Sequence, residues 1–196
     1  ATKDLIEITN KDFSVVSVLS IAAIFIIIVF TFKSVTLPVI LVSVIELAIM
    51  INLGISYFTG TELPFIASVV IGTIQLGATV DYAILMTTRY QHERNSGKDK
   101  KEAVGIALGT SVKSIITSAL GFFAATVGVA VYSDIGMISS LCMLLARGAL
   151  ISMVVVITVL PSMFMLFDKI ICKTSAGFKV GKNQTGHKQE LNMTTT

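Results

Sequence analysis

Five long apolar runs dominate this sequence, and each contains at most one charged residue. A helix needs about 20 apolar residues to cross the hydrocarbon core of a bilayer, because each residue rises only about 1.5 Å. A membrane β-barrel would instead show alternating segments of about ten residues. The pattern therefore predicts an all-α integral membrane protein, a bundle of five transmembrane helices. We place them at about residues 13–32, 35–58, 63–88, 113–132 and 137–167.

Composition supports a membrane protein and argues against a soluble enzyme. Hydrophobic residues make up 54% of the 196 residues and charged residues 14%, whereas a soluble domain carries about 25% charged residues. The sequence has no P-loop, HExxH or GxSxG motif and no cluster of metal ligands, so we predict no enzyme activity, no cofactor and no metal. Cys142 and Cys172 lack metal or redox spacing. We expect no nucleic-acid partner.

Basic residues gather on one side of the predicted bundle. The loop at 89–101 holds five lysines and arginines, and the tail after residue 167 holds five lysines. The loops on the opposite side, near 59–62 and 133–136, hold none. Because positive charge marks the cytoplasmic side, the C-terminus is predicted inside and the N-terminus outside.

The flanking segments suggest how the chain is organised. Residues 1–12 are mixed in charge and lack an export signal of their own, so we expect an extracytoplasmic leader that follows an upstream domain. A complete small protein inserted with its N-terminus outside is the alternative. Small and apolar residues near 99–112 predict a short helix on the cytoplasmic surface. The polar residues 168–196 predict a disordered cytoplasmic tail.

Asp81 is the residue in the third span that most needs an explanation. A charge at the bilayer centre costs at least about 2.5–3.5 kcal/mol, so it requires a partner or a function. Gly77 lies one turn earlier and removes side-chain bulk, which would let another helix approach closely. Tyr82 follows directly, and Gln75 shares its face. We predict that Asp81 takes and releases protons as its surroundings change.

The fourth span places hydroxyl groups along one helical face, at Ser114, Thr117 and Ser118. Such hydroxyls can satisfy a buried carboxyl group or hold water beside it. They can equally bond back to their own helix backbone. Both readings stay open for each hydroxyl.

Two further ionisable residues lie inside predicted spans, Glu46 in the second and Arg147 in the fifth. Glu46 would make a structural hydrogen bond while protonated, or serve a second proton or ion path. Arg147 would reach the outer interface with its long side chain, or pair with an acid inside the bundle.

Several stretches resemble the C-terminal membrane half of the resistance-nodulation-division (RND) superfamily, above all its MMPL branch. They are LGATVDYAILMTTRYQHER, the basic loop, the Ser- and Thr-bearing fourth span and LPSMFMLFDK, and the resemblance covers nearly all of residues 12–170. Gly77 to Asp81 is similar to the family's G-x-x-x-D element, and Asp81-Tyr82 to its Asp-Tyr proton-relay pair. The resemblance assigns no role to Glu46 or Arg147.

The resemblance implies a transporter of two similar halves, of which these are the last five helices of the second. Proton-motive force would drive export of lipids or hydrophobic compounds across a bacterial cell membrane. The implied partners are membrane lipids, a hydrophobic substrate and the upstream half of the same transporter. A Sec-type RND subunit that assists protein export is one alternative, although its motif usually lacks the Tyr. A lipid-sensing receptor resembling sterol-sensing domains is another.

Overall fold

The computed structural model describes the backbone of residues 2–58 and 67–175, and the side chains of residues 15–58 and 70–175. The described residues form helices and the turns between them, with no strand. Each helix contains a run long and apolar enough to cross a membrane. The predicted all-α membrane fold is confirmed. The helices are α1 Thr2–Phe32, α2 Thr36–Phe58, α3 Ala67–Asn95, α4 Lys100–Tyr132 and α5 Gly136–Thr174.

Helices α3, α4 and α5 extend beyond the predicted spans at the basic end of the bundle, whereas α1 extends beyond its predicted span at the opposite end, through residues 2–12. Polar residues there continue the helical hydrogen bonding, because the backbone stays satisfied whether the side chains meet lipid or water. The α3–α4 turn is tight, and Gly97 adopts φ +86° in the left-handed region that favours glycine. Its amide donates to the Arg94 carbonyl at 3.1 Å.

Two predicted segments differ in the structure. Residues 100–112 are helical, but they are the first turns of α4 rather than a separate helix. Their position at the membrane surface stays a prediction. The tail prediction was wrong for residues 168–174, which belong to α5. Asp168 and Ile171 are buried there, and this burial holds the last turns of α5 against the bundle. Residues 176–196 lie outside the described residues.

Helix α5 occupies the centre of the bundle, where it packs against α2, α3 and α4. Helix α1 packs mainly against α2 and α3. The main core includes Leu41, Leu160 and the stacked rings of Tyr90 and Phe164. Large apolar side chains cover the outer surface, as expected where lipid replaces water as the solvent. The chain is thus a multi-pass membrane protein.

Candidate functional site

A cleft of about 370 Å³ lies between α3 and α4. It brings together four of the predicted site residues. Asp81 and Tyr82 line it from α3, and Ser114 and Ser118 line it from α4. The two serines are one helical turn apart, so they lie on the same face of α4.

Asp81 is exposed, and none of the described residues forms a hydrogen bond or ion pair with it. Tyr82 is only 5% exposed and packs into the main core beside it. The carboxylate therefore opens onto a space that water or a group from another segment can enter. Proton transfer at this pair stays a prediction.

Thr117 does not join the cleft, although it was predicted to face the relay. Its hydroxyl donates to the Lys113 carbonyl at 2.8 Å, which is the backbone alternative considered above. The physical reason is helical geometry: Thr117 is rotated by about 100° from Ser118 around the axis of α4.

Gly77 is exposed, and a Cβ atom built there would meet nothing within 4 Å. No described helix approaches it, so a close helix contact at this position remains a prediction for a segment outside the described residues.

Glu46 is partly buried on α2. Its neighbours at helical spacing, Ser43 and Met50, are exposed, so this side of α2 faces away from the core. Among the residues with described side chains, none gives Glu46 a hydrogen bond or an ion pair. Its two predicted roles both stay predictions.

Arg147 is bonded to uncharged groups of α2, and none of the described acids pairs with it. Its Nε donates to Asn52 Oδ1 at 2.9 Å, and its Nη2 donates to the Asn52 carbonyl at 2.9 Å and to Ser56 Oγ. The side chain therefore crosses to α2, near the end of that helix opposite the basic loop, and its reach to the outer interface stays a prediction. An arginine in an apolar run predicts a charged partner, whereas amide and hydroxyl partners leave no such pattern in the sequence.

The same network continues through Gln75, which lies on α3 and is only 2% exposed. Asn52 Nδ2 donates to Gln75 Oε1 at 2.8 Å, and Gln75 Nε2 donates to Ser152 Oγ at 3.0 Å. At Gly148, a Cβ atom would come within 2.7 Å of both the Asn52 and Gln75 amides. Glycine is therefore required where α5 passes this buried polar layer, which joins α2, α3 and α5.

A second polar cluster closes the basic end of the bundle and was missed from the sequence. Asp168 accepts hydrogen bonds from the Tyr90 hydroxyl and from Arg94, whose Nε and Nη2 lie 3.0 Å and 2.9 Å from its two oxygens. Tyr90 also stacks on Phe164, with ring centroids 4.6 Å apart. The available signal was an Asp at the end of one apolar run and an Arg at the end of another, on the same predicted side.

The turn beside this cluster holds a more exposed ion pair. Lys98 Nζ lies 2.6 Å from Glu93 Oε2. This hydrogen bond raises the pKa of Lys98 above its ordinary value. Lys98 is therefore a fixed positive charge of the α3–α4 turn at neutral pH.

The chain is similar in sequence to several curated membrane proteins and exporters. The membrane protein ActII-3 of Streptomyces coelicolor is 28% identical over 102 residues, which are 52% of this chain and 14% of that protein. The trehalose monomycolate exporter MmpL3 of Mycobacterium tuberculosis is 27% identical over 154 residues, which are 78% of this chain and 16% of MmpL3. The mycolic acid-containing lipids exporter MmpL11 of Mycolicibacterium smegmatis is 21% identical over 134 residues, 65% of this chain and 14% of MmpL11.

The chain thus spans only a small part of the length of these curated relatives. No solved structure matches it at a significant level. The model of the MMPL family matches residues 1–183, which are nearly all of the chain. The resemblance drawn from the Asp81-Tyr82 stretch is confirmed, and the chain belongs to the MMPL family.

Proposed function

We propose that this chain is part of a proton-motive-force-driven membrane exporter of lipids or hydrophobic compounds, with Asp81 and Tyr82 as its proton relay. One observation carries the proposal. Asp81 lies in a membrane-spanning helix without a partner among the described residues and opens onto a cleft with Tyr82, Ser114 and Ser118.

The chemistry of this cleft suits proton uptake and release. A carboxylate in hydrocarbon is costly unless a proton, a cation or hydrogen-bond donors neutralise it. The serine hydroxyls both donate and accept hydrogen bonds, so they can hold water next to Asp81. The Tyr82 hydroxyl has the same double capacity. A change in the groups that meet Asp81 would then change its proton affinity.

The relatives support lipid as the substrate class, since MmpL11 is named as an exporter of mycolic acid-containing lipids and MmpL3 as an exporter of trehalose monomycolate. The upstream half of the same transporter would supply the groups that meet Asp81 across the cleft. The protein would work in the cell membrane and move its substrate without chemical conversion.

The test replaces Asp81 with Asn in the full-length protein, reconstituted in vesicles with an imposed proton gradient. Lipid export and proton uptake are measured together, the latter with an enclosed pH-sensitive dye. We expect both to be lost while the variant still inserts at the wild-type level, because an amide cannot release a proton. Asp99→Asn is the matched control, since Asp99 is an exposed carboxylate at the start of α4 without a side-chain capping bond.

Export by Asp81→Asn at the wild-type rate would refute the relay. Lipid binding without proton uptake in the wild-type protein would instead favour the lipid-sensing receptor. Proton-dependent export of protein substrates, with none of lipid, would favour the Sec-type subunit.

A further inference from the structure

We propose that Arg147 binds the phosphate group of a lipid headgroup at the end of the bundle opposite the basic loop. This site lies outside the Asp81 cleft, and its existence does not depend on the proton relay.

Arg147 carries a charge that no described residue neutralises. A guanidinium group is always protonated in proteins, so Arg147 carries a full positive charge within a membrane-spanning helix. No described carboxylate lies within 4 Å of it, and its protein partners, Asn52 and Ser56, are uncharged. A lone charge at this location is costly, and an anion from outside the described residues would compensate it.

One edge of the Arg147 guanidinium makes no hydrogen bond with the described residues. Its Nε and Nη2 bond to α2, which fixes the guanidinium plane. Its Nη1 has no hydrogen-bond partner among the described residues. Arg147 is partly exposed, and Nη1 is not among the described side-chain atoms that are fully buried without a partner. A fixed guanidinium with free N–H groups matches the oxygens of phosphate.

The depth of Arg147 along its helix favours a lipid over a soluble ion. Arg147 contacts Ser56, only two residues before the last residue of α2. The next residues, Tyr57 and Phe58, are 85% and 89% exposed, as aromatic side chains are at the headgroup level of a membrane.

The surface around Arg147 suits the tail of a lipid as well. Met143, one turn before Arg147, is 52% exposed, and Val154, two turns after it, is 55% exposed. Residues at this spacing share one face of α5. An anion that brings its own acyl chains therefore satisfies the charge of Arg147 and covers this apolar stripe.

The experiment measures lipid binding to the detergent-purified full-length protein by native mass spectrometry. The probes are dioleoyl phosphatidylglycerol, dioleoylglycerol, which has the same tails without phosphate, and inorganic phosphate as a competitor. We expect the wild-type chain to prefer phosphatidylglycerol over dioleoylglycerol by about tenfold or more, as charge-assisted hydrogen bonds predict. Arg147→Gln should abolish this preference. Arg89→Gln should keep the preference for phosphatidylglycerol. This variant removes an exposed arginine at the basic end of the bundle.

Asn52→Asp keeps the test decisive if Arg147→Gln does not fold. It places a carboxylate oxygen where Asn52 Oδ1 now lies, 2.9 Å from Arg147 Nε, so the arginine is neutralised internally. We expect the preference for phosphatidylglycerol to fall about tenfold in this variant. An unchanged preference in the folded variants would overturn the proposal. So would competition by inorganic phosphate as strong as that by the lipid, which would indicate a soluble-anion site.

Discussion

Replacing Gly148 by Ala tests whether the buried polar layer between α2, α3 and α5 is as tightly packed as the structure shows. The added methyl group would lie 2.7 Å from Asn52 Nδ2 and from Gln75 Oε1, and 2.9 Å from Gln75 Cδ. These contacts are too short, and both amides are held by hydrogen bonds to each other and to α5. One of the helices or both amides must therefore move.

The size of the effect follows from three opposing contributions. Loss or distortion of two hydrogen bonds costs about 2 kcal/mol in total. Overpacking adds about 1 kcal/mol at the low end of its usual range. Alanine recovers up to about 1 kcal/mol through its higher helix propensity. The variant should be less stable by about 2 kcal/mol, which corresponds to a melting temperature about 4–8 °C lower for a chain of this size.

The assay is thermal unfolding in detergent, followed by circular dichroism and by a thiol-reactive dye on the two partly buried cysteines, Cys142 and Cys172. Gly72→Ala is the matched control, because a Cβ there meets nothing within 4 Å. It should be as stable as the wild type or slightly more so. If Gly148→Ala melts at the same temperature as Gly72→Ala, the packing argument is refuted.

Two further predictions use the same unfolding assay. Asp168→Asn leaves the Arg94 charge without its partner in a pair whose side chains are 10% and 9% exposed, so it should lose about 3 kcal/mol. Adding Arg94→Gln should restore part of this loss, and a purely additive result would show that the pair is not coupled. Ser111→Ala removes a buried hydroxyl without a partner and should be neutral or stabilising by up to about 1 kcal/mol. Ser152→Ala removes a hydrogen-bond acceptor of Gln75, so it should lower the free energy of unfolding by about 1 kcal/mol. Equal melting temperatures for the two serine variants would show that the Ser152 hydroxyl contributes no more to stability than the unpaired Ser111 hydroxyl.

The number and type of the helices were predictable because membrane insertion depends on local composition. An apolar run of sufficient length forms a helix in lipid regardless of its neighbours, since its backbone must satisfy itself. Helix ends were less predictable. The continuation of α5 through Asp168 depends on Arg94, which lies 74 residues earlier in the chain. The paired charges lower the cost of burying this end, and no local pattern reveals such a partner.

The residues of the proposed proton relay were also accessible from sequence, because an ionisable side chain in an apolar run stands out. Asp81, Tyr82, Ser114 and Ser118 do line one cleft. Helical spacing was less reliable for Thr117, whose hydroxyl bonds to its own backbone. Helical periodicity indicates which residues share a face, but the packing of neighbouring helices determines which part of that face meets them.

Composition and the Asp81-Tyr82 stretch by themselves determined that this is a membrane protein, that it is helical and which family it belongs to. The membrane environment and the helical class follow from the free energy of moving each side chain into lipid, which is nearly additive along the chain. The family follows from the residue pattern itself. Only the tertiary structure decided the partners of Arg147, the need for glycine at 148 and the pairing of Arg94 with Asp168. Hydrogen bonds depend on distances of a few tenths of an ångström between atoms far apart in sequence, and these distances exist only once the helices have packed.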